Sequence, residues 1–170
     1  IVAFTFHISA VIYFPLYFFL HRKLNKWMYL SIFLAGNIVY LFHIPVFLSI
    51  VELVAKFISS DLQYKIGEYM SLMPDAGFRL SIGYLERLLT GGLVFCFMNK
   101  LRSIRKGNDI FINSILIYYS LFFFFSEFQV ISQRLSYLFS FGYWIVWIDL
   151  IQCFSIQNNK RLYVTFIGIY

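Results

Sequence analysis

Residues 1–20 read IVAFTFHISAVIYFPLYFFL and hold no Asp, Glu, Lys or Arg. At a rise of 1.5 Å per helical residue the run extends roughly 30 Å, the thickness of a bilayer's hydrocarbon core. His21-Arg22-Lys23 follows at once, the basic flank expected where a span leaves the membrane on its cytoplasmic side. Two residues depart from a plain apolar span: His7 can titrate, and Ser9 carries a hydroxyl. Ser9 and Ala10 are also small, which lets another helix or a lipid chain approach closely.

The whole chain repeats this character. Of 170 residues 61% are hydrophobic, 22% aromatic and only 13% charged. A soluble domain of this length cannot hide so much apolar surface. The net charge of +6 would suit nucleic acid, but the basic residues sit in short loops between apolar runs, where membrane topology explains them better. Cys96 and Cys153 lie inside apolar segments and read as packing residues rather than a disulfide or metal pair. The first span lacks a basic leader and a small-residue cleavage site, so it does not read as a signal peptide. The chain starts and stops inside apolar runs, which predicts a portion of a longer membrane protein.

Five spans and the start of a sixth follow from the pattern. Span one covers residues 1–20. Span two begins near Trp27 and stays largely apolar to Ile58, with Asn37 and His43 as polar marks; Pro45 should kink or end it. Residues 47–58, with Glu52 and Lys56 at i and i+4, read as a helix leaving the membrane or lying in its interface. Residues 59–79 are polar and dense in turn chemistry. Span three runs from Leu80 to Met98, span four over about 110–125 and span five over about 135–154. A sixth starts at Tyr163. The expectation is an all-α, polytopic transmembrane helix bundle, a single membrane-embedded domain over 1–170.

Charge orients it. Arg22, Lys23 and Lys26, then Lys100, Arg102, Arg105 and Lys106, then Lys160 and Arg161 make nine of the 14 basic residues, all within loops 21–27, 99–109 and 157–162. The intervening segments, 51–79 and 126–134, hold Lys56, Lys65, Arg79 and Arg134 among Glu52, Asp61, Glu68, Asp75 and Glu127. This is the positive-inside alternation, so the first set of loops is expected in the cytoplasm and His7, Arg79 and Arg134 near the outer side.

Span three carries the most informative stripe. Arg79, Gly83, Glu86, Arg87 and Thr90 share one helical face, entering the bilayer from outside. Ionised groups at that depth cost a few kcal/mol each, so they line a cavity or join a partner. Glu86 and Arg87 are adjacent and do not face one another, so each needs its own partner. Arg134 sits where span five enters from outside. It either snorkels to headgroups or grips a phosphate or diphosphate in bidentate fashion. Glu127, seven residues earlier, would orient it on a continuous helix. Asp149 and His43 are isolated and read as structural. No metal-ligand spacing, phosphate loop or nucleophile elbow is present, and no cofactor is implied.

Two stretches resemble a known family. Phe6-His7-Ile8-Ser9-Ala10, then Phe14-Pro15-Leu16-Tyr17 and a basic loop, are similar to the F-H-x-S-A and P-L-Y pattern of EpsG-like, Wzy-type polymerases of O-antigen, capsule and exopolysaccharide. Ser132-Gln133-Arg134-Leu135-Ser136-Tyr137-Leu138-Phe139 resembles the family's later S-x-R-[IL]-x-x-Y-F segment, with Tyr137 one place early. The span rhythm between them looks like the C-terminal half of such a protein.

The resemblance implies a membrane glycosyltransferase at the outer face of the bacterial plasma membrane. It would move a glycan from one undecaprenyl-diphosphate carrier to the non-reducing end of another lipid-linked repeat. Its partners would be that lipid-linked oligosaccharide, the bilayer and a chain-length regulator. Arg134, Arg79 and Arg87 would stabilise the departing diphosphate without a metal. His7 or Glu86 would take the acceptor's proton, while Ser9 and Glu127 would line the substrate. Two other readings compete: a flippase or transporter of the same lipids, which should show polar residues at both depths, and a membrane acyltransferase, which should pair an intramembrane His with Asp.

Overall fold

The computed structural model describes residues 13–46, 50, 53, 64, 68 and 80–169. Among the described residues seven helices have both ends defined: α1 (Tyr13–Leu20), α2 (Lys26–Leu41), α3 (Ile82–Ile104), α4 (Asp109–Phe124), α5 (Gln129–Tyr137), α6 (Phe141–Cys153) and α7 (Gln157–Ile169). No strand occurs among the described residues. The expectation of an all-helical chain holds there, but the lengths differ from those expected. Six of these helices run 8 to 16 residues, short of the roughly 20 that a bilayer requires. α3 has 23 residues but includes Glu86, Arg87, Lys100 and Arg102. Among the described residues, no helix is long and apolar enough to cross a membrane.

Local signals account for the boundaries. Asn25 caps α2 by accepting the Trp27 N–H at 2.9 Å, and Ser81 caps α3 by accepting from the Tyr84 N–H at 3.1 Å. α2 stops at Leu41, four residues ahead of Pro45. Its end is a left-handed turn at His43 (φ 53°), with the Ile44 N–H returning to the Val39 carbonyl at 3.1 Å. That bond is the six-to-one closure of a Schellman end, made here without glycine. The helix thus ends just ahead of Pro45, where a kink or stop was expected; of residues 47–58 only 50 and 53 are among the described residues.

Span five also differs. Residues 126–134 were expected as a loop leading into a span from 135. Instead α5 occupies Gln129–Tyr137 and a separate helix, α6, starts at Phe141. Arg134 thus lies in the last turn of a short helix, not at the mouth of a span. Glu127 precedes α5, so it shares no helical face with Arg134.

α4 is the hub, packed by α1, α2, α3, α5 and α6. It is buried on nearly every side, through Ile112, Ile115, Leu116, Tyr119 and Phe123 among others, as expected of a helix apolar all round. Aromatic rings fill the space between helices: Tyr40 stacks on Tyr84 at 5.1 Å, and Phe33 meets Tyr119 at 5.5 Å. Two glycines permit close approach. A Cβ on Gly91 would enter the ring of Phe33, and one on Gly142 would lie 2.6 Å from the Phe111 carbonyl oxygen and 2.9 Å from Ser114 Cβ. Both cysteines are free; Cys153 is buried, while Cys96 is exposed and does not pack as expected.

Gly142→Ala should therefore cost about 1–3 kcal/mol through overpacking of α6 on α4. Gly92→Ala, with nothing within 4 Å of the new methyl, should be neutral or slightly stabilising. Thermal unfolding in detergent separates the two, and equal melting temperatures would contradict the α4–α6 contact.

Candidate functional site

The polar stripe of α3 turns inward. Glu86 is 2% exposed and Thr90 0%. A carboxyl so buried must be compensated by hydrogen-bond donors, and α3 and α6 supply them. Thr90 Oγ1 donates to Glu86 Oε1 at 2.7 Å, one helical turn away, and the Tyr143 hydroxyl of α6 donates to the same oxygen. Behind each donor stands another: Trp147 Nε1–H donates to Thr90 Oγ1 at 3.2 Å, and the Tyr119 hydroxyl of α4 lies 3.2 Å from that of Tyr143.

Arg87 points elsewhere, as its neighbouring position predicts. Its Nε and Nη2 donate to the Tyr118 hydroxyl at 3.3 and 3.0 Å, and the guanidinium lies 4.1 Å from the centre of the Phe122 ring. Each of the adjacent pair thus has its own partner. α5 reaches the same turn of α4: Ser132 Oγ donates to the carbonyls of Leu121 and Phe122 at 3.2 and 3.3 Å. Arg134, two residues on, is exposed, and Glu127 is half-buried in the turn before α5. His7, Ser9 and Arg79 lie outside the described residues.

An open groove of about 720 Å³ runs along α3, lined by Ile82, Leu85, Leu88, Leu89 and Phe166 with Glu86 among them. Among the described residues its wall is otherwise apolar, with Glu86 its sole ionisable residue. The N-terminal end of α3 is apolar too, with Ile82 79% exposed. No cluster of three or more His, Cys, Asp or Glu that could hold a metal occurs among the described residues.

A second polar assembly closes the other end of the bundle. Arg102 Nε meets Asp109 at 2.7 Å and its Nη2 donates to the Leu24 carbonyl at 2.6 Å. Lys100 donates to the Cys153 carbonyl at 2.8 Å. The Asn113 amide donates to the carbonyls of Leu20 and Arg22 at 2.9 and 2.7 Å. Helix C-termini leave carbonyls unsatisfied, and Lys100 and Asn113 serve those of α6 and α1. Asp149, expected to be isolated, is fully buried and accepts from Arg105 at 3.2 Å and from Asn108 Nδ2 at 3.0 Å. The basic loops after α1 and α3 thereby meet at one end, beside the C-terminus of α6.

Sequence patterning missed Tyr118, Tyr119, Tyr143 and Trp147. All four lie in stretches that read as plain apolar spans. The available signal was chemical: buried Tyr and Trp need partners for their O–H and N–H, and Tyr143 and Trp147 are spaced i, i+4 on one face.

Against this geometry, residues 1–170 match the family model described as the EpsG family. The chain belongs to the EpsG family. This is the family of Wzy-like polysaccharide polymerases, it is membrane-associated, and EpsG membership points to a part in exopolysaccharide biosynthesis with a lipid-linked saccharide as substrate. No curated protein and no solved structure matches the chain.

The basic end carries its own test. Arg105→Met strands the Asp149 carboxylate in the core, whereas Asp149→Asn leaves Arg105, 48% exposed on its side chain, free to turn to water. Loss of stability should be larger for Arg105→Met, of the order of 1–3 kcal/mol, and the double variant should recover part of it. Additive losses in detergent unfolding would show the two residues to be uncoupled.

Proposed function

We propose that this EpsG-family chain polymerises lipid-linked oligosaccharide repeats at the outer face of the bacterial plasma membrane. One observation carries the reading: a buried glutamate, Glu86, among the residues that line an open apolar groove, in a Wzy-like family member. The groove would take the undecaprenyl chain, which is all hydrocarbon. An acceptor hydroxyl attacks the anomeric carbon of the donor as the bond from that carbon to the diphosphate oxygen breaks. The hydroxyl proton passes to a base, Glu86 or His7, and the carrier departs as undecaprenyl diphosphate. Arg87, with Arg134 and Arg79, would hold the diphosphate, since guanidinium geometry matches paired phosphate oxygens. Ser9 and Glu127 remain substrate-lining candidates.

Placement in the membrane belongs to the same proposal. Trp144, Ile148, Leu85 and Leu162 are exposed on three different helices, outward apolar surface that lipid would cover. The basic assembly at one end fits the cytoplasmic side. Glu86 is five residues from the capped start of α3, whereas Lys100 and Arg102 mark its other end. With the basic end on the cytoplasmic side, the site would lie in the outer half.

Reconstituted protein with purified lipid-linked repeat tests the proposal. Wild-type protein should build polymer ladders, and Glu86→Gln and Arg134→Ala should each abolish chain extension at unchanged protein level. A wild-type ladder from Arg134→Ala removes that residue from the mechanism. A change of sidedness without polymer favours the flippase reading instead.

A further inference from the structure

The donors around Glu86 are not interchangeable, and their chemistry fixes where a proton can sit. An indole N–H only donates, so Trp147 forces Thr90 Oγ1 to accept from it. The single Thr90 hydroxyl hydrogen is then left for Glu86 Oε1. Likewise the Tyr143 hydroxyl hydrogen goes to Oε1, and Tyr119 donates to Tyr143 from behind. Two chains of donors, one from α6 through α3 and one from α4 through α6, therefore end on the same oxygen. Oε2 has no hydrogen-bond partner among the described residues, and Glu86 is one of the residues that line the groove.

We propose that Thr90 and Tyr143 are positioning residues that occupy both lone pairs of Glu86 Oε1, so that any proton the carboxyl carries resides on Oε2, the oxygen left for a ligand in the groove. This deepens the polymerase reading and rests on it for its meaning in the reaction: a base with one fixed proton address can meet an acceptor hydroxyl from one direction only. Tyr119 and Trp147 act one step further out, by setting the direction in which Tyr143 and Thr90 donate. The remaining charged neighbour in sequence, Arg87, is engaged with Tyr118 on α4 and is not part of either chain.

The proton address has a spectroscopic signature. At acidic pH the infrared difference between wild type and Glu86→Gln isolates the protonated carboxyl band. Its carbonyl is Oε1, hydrogen-bonded twice, so the band should lie low and move to higher frequency in Thr90→Val and in Tyr143→Phe. Thr90→Ser, which keeps the donor, should restore the wild-type position. In the polymerisation assay the same two variants should lower kcat at least tenfold with little change in KM, and Thr90→Ser should recover activity. Melting temperatures and circular dichroism identify any variant that has not folded, and where one of the two has not, the band shift in the other supplies the reading. A band that does not move when either donor is removed from a folded protein overturns the proposal. Failure of the wild type to make polymer, with the band shifts intact, overturns the polymerase reading but leaves the proton address standing.

Discussion

A carboxyl withdrawn almost wholly from water constrains everything packed around it. Burying Glu86 without donors would cost several kcal/mol, so α6 must present Tyr143 and α3 must present Thr90 at one oxygen. Those hydroxyls are themselves held by Tyr119 on α4 and Trp147 on α6. Three helices are thereby locked in azimuth as well as in distance. Slide α6 by one residue along α3 and both chains of donors break together. Aromatic packing alone, being tolerant of small slips, would not impose that register.

The opposite end of the bundle solves a different problem with similar means. Helices that finish inside a protein leave carbonyls without partners. Here Lys100, Asn108 and Asn113 reach back to the carbonyls of Cys153, Leu101 and Leu20, while Arg102 serves that of Leu24 just ahead of α2. Residues whose charge reads as a topology signal thus also cap neighbouring elements. Asp149 belongs to this group: its carboxylate is fully buried and is compensated by Arg105 and Asn108 from the turn after α3. One end of the molecule is consequently stiff and polar, while the end bearing Glu86 opens on an apolar groove.

Under the proposed polymerase reading, that division would suit transfer between lipid-borne substrates. An apolar channel alongside a helix accepts a hydrocarbon chain with little specificity, whereas a single oriented carboxyl discriminates by direction. The groove wall and the carboxyl lie on the same helix, α3, so binding and chemistry would share one rigid element rather than depend on a mobile loop.

Much of the outline was legible in the chain. Apolar run lengths located α4 within a residue or so, and the alternation of basic and acidic loops anticipated that the loops after α1 and α3 meet at one end. Helical spacing put Glu86 and Thr90 on one face and told that Glu86 and Arg87 would find separate partners. Other features were beyond it. Periodicity did not separate α5 from α6, because Leu138-Phe139-Ser140 continues the apolar and small pattern with no proline or glycine to mark the break. It left Asp149 isolated and treated Tyr143, Tyr119 and Trp147 as filler, because a hydroxyl or indole in an apolar run declares a need for a partner but not its identity. Sequence spacing determines which side chains share a face of one helix, since that depends only on 3.6 residues per turn. Which faces meet, and so which donor reaches Glu86 Oε1, is set by packing between segments far apart in the chain, and only the tertiary structure decides it.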